Sequence, residues 1–569
     1  MNKRWVVQNH QNDAAVSQLQ ASLKIHPVLC RLLVQRGITT FDEARSFFRP
    51  SLDLLHDPFL MKDMDKAVER INKALADKEK ILVYGDYDVD GTTAVATMYL
   101  FLKSLFANVD FYIPDRYNEG YGVSFQAMDF AHFNGFSLIV ALDCGIKSID
   151  KVQYAKDYGI DFIICDHHRP GNELPAAHAV LDPKQSDCNY PYKELTGCAI
   201  GFKLIQAIAA NNNIPRSEIE QYLDLVAISI CADIVEIKGE NRILTYYGLK
   251  RLNQHKRPGI RAILEMTQML NKELTVSDVV FVIAPRINAA GRIESGKKAV
   301  ELLIAHDEEQ AKFKGEDINE QNSARKELDA IITEMAIQQI EDDDLFHLRK
   351  STVVFHPEWH KGVIGIVASR LTEKFYRPTI VLTETNGHVA GSARSIKDFD
   401  IYNAIEACSD LLDQFGGHMY AAGLTMKSEN VEAFRHRFEE VVSNTIEERM
   451  LTREVDIDAE IDLQEITASF MRVLKQFAPF GPGNMAPVFL TRSVRDVGYG
   501  RKVGTNHLKL SVTQGQPKTV FDAIAFQLGE HYTLVENNHA FDICYHIDEN
   551  HYNGRVTLQL NVKDIKKAD

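Results

Sequence analysis

Three carboxylates stand at alternating positions in the segment VYGDYDVDGTTA, at Asp86, Asp88 and Asp90, and Gly91 follows directly. Carboxylates this close repel one another, so we expect cations to cancel their charge in the folded protein. Mg²⁺ and Mn²⁺ prefer oxygen ligands, with one or two imidazoles among them. The segment therefore indicates a site for divalent metal ions.

Strand-like apolar runs lead into the candidate ligands. The run KILVYG ends before Asp86, FSLIVALD ends on Asp143, and IDFIICD ends on Asp166, which His167 and His168 follow. Helical patterns such as TTAVATMYLFLKSLF lie between these runs, which is typical of a parallel α/β sheet. Ligands bind at the carboxyl ends of the strands in such sheets, so we expect these side chains to meet at one edge.

Three kinds of site fit an Asp-rich loop after a strand. An EF-hand is excluded, because Thr97 occupies the twelfth position counted from Asp86, where a bidentate glutamate is needed. A haloacid-dehalogenase-type phosphatase stays an alternative, since DVDGT (88–92) resembles its nucleophile loop, although its later lysine and Gly-Asp-x-x-x-Asp segment are not evident. A binuclear metal centre is favoured, because two ions about 3.5–4 Å apart assist in-line displacement at phosphorus. Its candidate ligands are Asp86, Asp88, Asp90, Asp143, His167 and Asp233.

Composition excludes several classes of protein. The chain has 569 residues, of which 45% are hydrophobic and 25% charged, as in soluble globular proteins. No apolar run has the length of a signal peptide or a membrane span. The eight cysteines form no C-x-x-C pair, which favours reduced thiols in the cytoplasm over disulfides or a zinc knuckle. The net charge of −15 means that binding to a polyanion would need local basic surfaces or metal ions.

The patterns predict five consecutive segments. HPVLCRLLVQRG and TTFDEARSFF predict short N-terminal helices, the Pro-free stretch 306–340 predicts one long helix, and short strands with glycine turns near the C-terminus predict a small β-barrel. The expected boundaries are 1–60 for the helical segment, 61–305 for the first α/β domain, 306–345 for the connecting helix, 346–450 for a second α/β domain and 451–569 for the barrel.

The barrel segment is locally basic. Between residues 465 and 522 the only acid is Asp496, against eight bases. These bases are Arg472, Lys475, Arg492, Arg495, Arg501, Lys502, Lys509 and Lys518, and the interleaved aromatic residues are Phe477, Phe480, Phe489 and Tyr499. Basic grooves with aromatic platforms bind single strands. We expect most of the Phe side chains in the barrel core and Tyr499, in the turn-like GYGRK, to stack on a base.

Several motifs together resemble the DHH phosphoesterases, a family named for the triplet at Asp166, His167 and His168. DYDVDG, LDCG, CDHH and CADI match its first domain, and GGHMYAAG (416–423) is similar to the signature of its DHH-associated domain. PRINAAGRI, EWHKGVIGIVASRL, GSARS and FAPFGPGNMAPVF resemble the branch that degrades single-stranded DNA, over nearly the whole chain. The resemblance implies an α/β fold, with a parallel-sheet DHH domain and a second α/β DHH-associated domain joined by a long helix, plus a C-terminal OB-fold β-barrel.

The activity that the resemblance implies is degradation of single-stranded DNA from the 5′ end to 5′-mononucleotides, with two Mn²⁺ or Mg²⁺ ions, in DNA repair and recombination. Two alternatives stay open: a DHH phosphodiesterase for short oligonucleotides or cyclic dinucleotides, and a catalytically silent DNA-binding scaffold. The expected partners are single-stranded DNA, a single-strand-binding protein and a RecQ-type helicase, with no membrane, and the expected state is a cytoplasmic monomer.

The family pattern also implies a role for each site residue. Asp88 and Asp143 would hold one ion, and the ligands of the other would be Asp90, Asp143, His167 and Asp233. His168 would contact a phosphate oxygen, and Asp166 would orient an imidazole. The catalytic residues would then be Asp88, Asp90, Asp143, His167, His168 and Asp233. The residues expected to contact DNA, most of them in a cleft between the two α/β units that admits one strand, are Asn288, Arg292, Arg370, Ser392, Arg394, Gly416, Gly417, His418, Tyr499, Arg501 and Lys502.

Two positions depart from the family pattern. Tyr84 stands where many members carry a metal-binding histidine, so we expect the first ion to rely on Asp86 or on water. Met485 replaces a proline of the barrel motif, which we expect to be a harmless loop change.

Overall fold

The computed structural model of the protein describes residues 3–8, 12–106, 108–385, 387–515, 519–536, 539–552 and 555–568. None of the helices in these ranges combines the length and the apolar character needed to cross a membrane.

The N-terminal segment contributes one strand and three helices. These are β1 (Arg4–Val7), α1 (Asp13–Leu23), α2 (Pro27–Gln35) and α3 (Phe41–Phe48). The helices begin where local chemistry favours a start: Pro27 occupies the first turn of α2, and Thr40 and Glu43 form a capping box at α3. The strand is an addition to the helices expected here.

The first α/β domain begins with a parallel sheet. Its first elements are α4 (Met64–Ala76), β2 (Ile81–Gly85), α5 (Val89–Leu105), β3 (Val109–Tyr112), α6 (Phe125–Phe133), β4 (Leu138–Leu142), α7 (Ile149–Asp157), β5 (Asp161–Cys165) and β6 (Ala179–Leu181). The strand order is β3-β2-β4-β5-β6, and every pairing is parallel. Every residue of β2 and β4 is buried, which explains why these strands are continuous apolar runs. The predicted parallel α/β sheet is confirmed.

Helices complete this domain and lead out of it. They are α8 (Gly197–Asn211), α9 (Arg216–Ile219), α10 (Leu223–Ala232), α11 (Gly239–Gln254), α12 (Pro258–Met266), α13 (Val276–Asp278), α14 (Ala284–Ile293), α15 (Gly296–Leu303) and the 34-residue α16 (Glu308–Glu341). A π-helical turn, Val279–Ile283, joins α13 to α14. The long helix α16 is the predicted connection to the next domain.

The second α/β domain has a mixed sheet. Its elements are β7 (Thr352–Phe355), α17 (Ile364–Phe375), β8 (Thr379–Thr385), β9 (His388–Arg394), α18 (Ile401–Glu406), β10 (Gln414–His418), β11 (Ala421–Met426) and α19 (Val431–Thr445). The strand order is β10-β11-β9-β8-β7, in which only the β7–β8 pairing is parallel among the described residues. Strand β10 therefore lies at one edge of the sheet.

The C-terminal domain is a five-stranded barrel. Its elements are β12 (Glu454–Ile457), β13 (Ala459–Glu460), α20 (Ala468–Leu474), β14 (Phe489–Asp496), β15 (Arg501–Val503), β16 (His507–Gln514), β17 (Thr519–Ala525), α21 (Tyr532–Val535), β18 (Phe541–Tyr552) and β19 (Arg555–Lys567). The order β14-β18-β19-β17-β16 closes because β16 also pairs with β14, as the OB-fold prediction requires.

The two ends of the chain pack together. Strand β1 pairs in parallel with β12, and Leu19, Leu29 and Leu33 of the N-terminal helices share a core with Phe489 and Phe541 of the barrel. The N-terminal segment therefore buries its apolar face on the C-terminal domain.

Candidate metal centre and nucleic-acid cleft

The strand ends bring three aspartates to one edge of the sheet. Asp86 follows β2, Asp143 follows β4 and Asp166 follows β5, and these strands are neighbours. Asp143 has a φ of 60°, which aspartate tolerates better than most residues. A Cβ at Gly197 would lie 2.5 Å from the Cβ of Asp143, so only glycine lets α8 approach this closely.

The first turn of α5 adds two carboxylates. This helix begins at Val89, three residues before the predicted start, so Asp88 is its N-cap and accepts from the amide of Gly91 at 2.9 Å. The carboxylate of Asp90 accepts from the amides of Gly197 (2.7 Å) and Cys198 (2.9 Å) at the N-terminus of α8, and a further bond of 2.6 Å comes from a serine hydroxyl of α10. These donors hold Asp90 in a single orientation.

His167 faces three of these carboxylates. Its Nε2 lies 3.1 Å from Oδ1 of Asp143, 3.7 Å from Oδ2 of Asp233 and 3.8 Å from Oδ2 of Asp90. Asp233 reaches this point from the C-terminal end of α10. Asp90, His167 and Asp233 could hold one ion together, and Asp143 forms a second such group with His167 and His168.

Burial disfavours charge on these carboxylates in the metal-free protein. Burial and the neighbouring Asp88 raise the pKa of Asp86 to about 8. Burial, Asp90 and Asp88 raise the pKa of Asp233 to about 9, and the pKa of Asp143 rises in the same direction for the same reasons. Several buried acids cannot all ionise without a compensating charge. The cluster therefore needs added positive charge to keep its carboxylates ionised.

The unpartnered atoms of the cluster fit a divalent ion. Both carboxylate oxygens of Asp86, Oδ1 of Asp143 and Oδ2 of Asp233 are buried and accept no hydrogen bond within the described chain. Folded proteins rarely leave buried polar atoms unpaired. An oxygen-rich set with one imidazole is the donor set that Mn²⁺ and Mg²⁺ accept.

Asp166 organises the loop that carries both histidines. Its carboxylate accepts from the amides of Ile146 (2.9 Å), His167 (2.8 Å) and His168 (3.1 Å), and from Nδ1 of His168 (2.7 Å). Although burial opposes both shifts, this contact lowers the pKa of Asp166 to about 2 and raises the pKa of His168 to about 9. The Nε2 of His168 lies 3.0 Å from the hydroxyl of Tyr121.

The side chain of Tyr84 is occupied elsewhere. The residue is fully buried, its hydroxyl donates to the carbonyl of Gly122 at 2.7 Å, and its ring stacks on Tyr112. Burial raises the pKa of Tyr84 well above its usual value, so the phenol stays neutral. Asp86 therefore offers the free oxygens on this side of the cluster.

Guanidinium groups from both α/β domains converge beside the acidic cluster. Arg292 of α14 donates to the carbonyl of Gly362 in the second domain at 3.1 Å. Burial lowers the pKa of Arg292 to about 10, with further contributions from Arg116, Arg325 and Arg394. Arg292 and Arg394 form no ion pair with a described carboxylate. The cleft therefore holds positive charge that is available to an anion.

The second α/β domain supplies the opposite wall of this cleft. Arg394 donates to Oγ of Ser392 at 3.1 Å, and a Cβ at Gly365 would lie 3.1 Å from Nη2 of Arg394, so that glycine gives the guanidinium room. Arg370 is half exposed and pairs at 2.6 Å with the buried Asp329 of α16.

The other expected cleft residues lie on α14 and on β10. Asn288 is partly buried on α14, while Gly416, Gly417 and His418 are exposed on the edge strand β10. Gly417 has a φ of 148°, and a Cβ there would lie 2.4 Å from the carbonyl oxygen of Ala421.

Sequence reasoning missed Arg116 and Arg325. Arg116 follows β3 at the active edge of the sheet, in PDRYNEGYG, and its guanidinium lies over the ring of Tyr87 at 4.3 Å. Its position after a strand was the available signal. Arg325 lies in the middle of α16, where no local pattern marks it.

Tyr499 is an exposed aromatic side chain in a turn of the barrel. Tyr499 is 70% exposed between β14 and β15. Asp496, the one acid of this basic segment, accepts from the amides of Gly498 and Gly500 at 2.8 Å each. The carboxylate of Asp496 therefore stabilises the turn that carries Tyr499.

The basic surface of the barrel is narrower than its composition suggests. Arg501 and Lys502 are exposed on β15, and Arg501 pairs across the strands with the exposed Lys509 of β16. In contrast, Arg492 and Lys475 form ion pairs with carboxylates of neighbouring elements. Arg501, Lys502 and Lys509 therefore form an exposed basic group on β15 and β16, while Arg472 of α20 and Arg495 of β14 are exposed elsewhere on this domain.

The expectation for the barrel phenylalanines agrees with their burial. Phe477 and Phe489 are fully buried, and Phe480 packs against the same core. Lys518, which the sequence count included, lies outside the described residues.

Comparison with known proteins covers most of the chain. Residues 80–230 match the DHH family, N-terminal domain, residues 349–444 match the DHHA1 domain, and residues 457–564 match the RecJ OB domain.

Full-length relatives and a solved structure extend this similarity. The single-stranded-DNA-specific exonuclease RecJ of Bacillus subtilis is 38% identical over 99% of this chain and 70% of its own length, and that of Escherichia coli is 33% identical over 95% and 96%. The crystal structure of RecJ from Thermus thermophilus in complex with Mn²⁺ is 27% identical, with a TM-score of 0.84 over 100% of this chain and 80% of that one. This chain belongs to the RecJ family of single-stranded-DNA-specific exonucleases.

Proposed function

We propose that this exonuclease removes nucleotides from the 5′ end of single-stranded DNA and releases 5′-mononucleotides, with two divalent ions, Mn²⁺ or Mg²⁺. The observation that carries the proposal is a buried carboxylate cluster beside guanidinium groups that pair with no carboxylate among the described residues. Both features suit phosphate chemistry, because metal ions and arginines stabilise the charge that develops at phosphorus. Two solved RecJ structures of the relative from Thermus thermophilus contain Mn²⁺ and Mg²⁺ respectively.

The carboxylates divide into two ligand groups. Asp88 and Asp143 would hold one ion, with the free oxygens of Asp86 beside it. The second group is Asp90, Asp143, His167 and Asp233, so Asp143 belongs to both. Ions bound there would activate water and stabilise in-line displacement at phosphorus. The three donors to Asp90 keep its carboxylate in place throughout.

Asp166 and His168 would orient the scissile phosphate. The carboxylate of Asp166 fixes the ring of His168 and favours its protonated form. A cationic imidazole at the rim of the cluster can donate to a phosphate oxygen. His168 is therefore assigned to the substrate, and His167 to the metal centre.

The arginines of the cleft explain the preference for a strand end. A terminal phosphate carries up to two negative charges, whereas an internal phosphodiester carries one. Arg292, Arg394 and Arg116, with the hydroxyl of Ser392, would bind such a terminal group. Because Arg116 acts on the charges of Asp86 and Asp88, the terminal phosphate would lie next to the metal centre, and cleavage would release one nucleotide at a time.

The rest of the strand would run over the second domain and the barrel. Asn288, Arg370 and the exposed segment 416–418 would contact its backbone in the cleft. Tyr499 would stack on a base, while Arg501 and Lys502 would attract phosphates. A phosphodiesterase for cyclic dinucleotides or short oligonucleotides would not need this surface, and a silent scaffold would not need the full set of ligands.

The cellular setting follows from family membership alone. We propose a cytoplasmic monomer that acts in DNA repair and recombination with a single-strand-binding protein and a RecQ-type helicase.

The test uses two single-stranded oligonucleotides, one labelled at the 5′ end and one at the 3′ end, with Mn²⁺. We expect labelled mononucleotide at once from the 5′-labelled strand alone, and none with the Asp88→Asn/Asp90→Asn protein. Early release from the 3′-labelled strand would refute the polarity. Tight binding without any cleavage by the wild type would favour the scaffold.

A further inference from the structure

One loop of the barrel domain reaches into the DHH domain. We call it the barrel loop, residues 476–485, which joins α20 to β14. Its own side chain Asn484 holds it closed, since Nδ2 donates to the carbonyls of Phe477 and Pro479 at 2.8 Å each. Arg36 of the N-terminal segment donates to Oδ1 of Asn484 at 2.7 Å. The loop is therefore a fixed structure and not a loose connection.

The barrel loop surrounds a buried cation of the DHH domain. Arg242 of α11 donates to the carbonyls of Gln476 (3.1 Å), Phe477 (2.8 Å) and Ala478 (3.0 Å), and its guanidinium lies 3.8 Å from the centre of the Phe47 ring. No described carboxylate pairs with it, and burial lowers the pKa of Arg242 to about 10. Carbonyl groups of the barrel loop thus replace the water that this charge loses.

The same loop supports the segment that follows Asp233. We call this segment the 234–238 loop, which joins α10 to α11. The amide of Ile237 donates to the carbonyl of Pro482 at 2.7 Å. A Cβ at Gly481 would lie 2.4 Å from Cδ1 of Ile237, so the side chain of Ile237 packs directly against the backbone of Gly481.

The backbone of the 234–238 loop is strained next to the metal centre. Ile234 has a φ of 60°, which is unfavourable for a β-branched residue, and it is 72% exposed, so its own packing does not explain the conformation. The surrounding contacts must impose it. Contacts to this loop from outside the DHH domain come from Gly481, Pro482 and Gly483 of the barrel loop.

We propose that the barrel loop positions Asp233, so that the metal centre depends on a contact with the DNA-binding domain. Asp233 directly precedes the strained Ile234, and its carboxylate lies 3.7 Å from His167. A shift of the 234–238 loop therefore moves this ligand relative to the rest of the site. The inference rests on the proposed role of Asp233 as a metal ligand.

Two substitutions change the contact from opposite sides. Gly481→Ala adds a methyl group to a contact that has no room for it, and Ile237→Ala removes most of the side chain that fills the contact. In the double variant the new Cβ lies 3.8 Å from the Cβ at position 237, an ordinary contact. The single variants should therefore disturb Asp233, and the double variant should disturb it less than either, which is the non-additivity expected of residues in contact.

The readout that decides is Mn²⁺ affinity, measured by isothermal titration calorimetry on the full chain without DNA. We expect the dissociation constant to rise about tenfold in each single variant, as for other groups that orient metal ligands, and to recover in the double variant. The turnover of a 5′-phosphorylated dinucleotide, too short to span the cleft and the barrel, should show a lower kcat with an unchanged KM.

Gly171→Ala is the matched control, because this glycine is exposed and a Cβ there meets nothing closer than 3.5 Å. It should bind Mn²⁺ as the wild type does. Folded Gly481→Ala and Ile237→Ala proteins with wild-type Mn²⁺ affinity would overturn the inference, and if Gly481→Ala does not fold, Ile237→Ala alone decides. A wild type that binds Mn²⁺ but cleaves no strand would instead refute the proposed function, while the titration would still test the positioning.

Discussion

The buried carboxylates make the metal-free protein less stable as the pH rises. The pKa of Asp86 is about 8 and that of Asp233 about 9, against 3.8 for an ordinary aspartate. Between pH 3.8 and pH 8 to 9, the folded protein therefore binds more protons than the unfolded chain. The favourable contribution of the protonated groups is fully present below pH 3.8 and is lost as the pH rises through 8 to 9.

Asp233→Asn should therefore stabilise the metal-free protein at pH 8. The neutral amide avoids the repulsion from Asp88 and Asp90, so we expect the unfolding midpoint to rise by about 2–4 °C for each kcal/mol gained. The increase caused by Mn²⁺ should shrink, because a ligand is lost. Thermal unfolding with and without Mn²⁺ measures both. At pH 5 the difference between variant and wild type should be smaller, and a lower midpoint at pH 8 without metal would contradict the account of the pKa values.

Residue types and strand ends predicted much of the acidic cluster. The Asp-rich loop and the Asp-His-His triplet follow apolar runs, and their meeting at one sheet edge is a rule of parallel sheets. Arg116 and Arg325 escaped prediction, because their approach to Arg292 depends on how a loop, α14 and α16 pack. Local sequence patterns contain no information about such packing.

A buried ion pair joins two helices of the DHH domain. Nζ of Lys203 on α8 lies 2.6 Å from Oε1 of Glu240 on α11, and both side chains are fully buried. Glu240 also accepts from the hydroxyl of Tyr190 at 2.6 Å and from the amide of His56 at 2.9 Å. Since the N-terminus of α8 holds Asp90, this pair supports one of the proposed metal ligands from a distance.

Lys203→Met should cost about 3–5 kcal/mol of unfolding free energy, because it leaves the carboxylate of Glu240 buried without its cation. Urea unfolding measures the loss. Lys203→Met/Glu240→Leu should lose less than the single variant, since no buried charge remains. As a control, Lys184→Met removes a more exposed pair with Glu194 and should cost less than about 1 kcal/mol. Equal losses of unfolding free energy at Lys203 and Lys184 would show that burial does not determine how much an ion pair contributes to stability.

Helices and buried strands were more predictable than short pairings. The runs that became β2 and β4 are apolar throughout, the run that became β5 is apolar after Asp161, and α16 is a long stretch without proline. Strand β1 has only four residues, and it pairs with β12, where Arg4 lies opposite Glu454. Because its partner is so distant in the sequence, no local pattern predicts this strand. Helix α5 begins earlier than its apolar pattern because Asp88 caps it.

At the scale of the whole molecule, an acidic chain carries a small exposed basic surface on the barrel, which we propose binds DNA. The net charge is −15, yet Arg501, Lys502 and Lys509 lie exposed together on β15 and β16. The ion pairs of Arg492 and Lys475 take those bases out of this surface. Binding should therefore depend on a few phosphate contacts.

Arg501→Ala/Lys502→Ala should weaken binding to a long single strand and flatten its salt dependence. Each lost phosphate contact lowers the slope of log K against log salt by about 0.7, so we expect a change of about 1.4. Fluorescence anisotropy over a salt series measures it. Lys475→Ala, whose ammonium pairs with Glu549, is the control and should change neither quantity. An unchanged affinity and slope in the double variant would remove the barrel from the DNA path.

The most direct test of the metal centre is anomalous diffraction at the manganese edge from crystals grown with Mn²⁺. We expect two peaks about 3.5–4 Å apart. One should be bounded by Asp88 and Asp143, and the other by Asp90, Asp143, His167 and Asp233. Peaks located elsewhere, or none at these carboxylates, would contradict the assignment of the buried cluster as the catalytic metal centre.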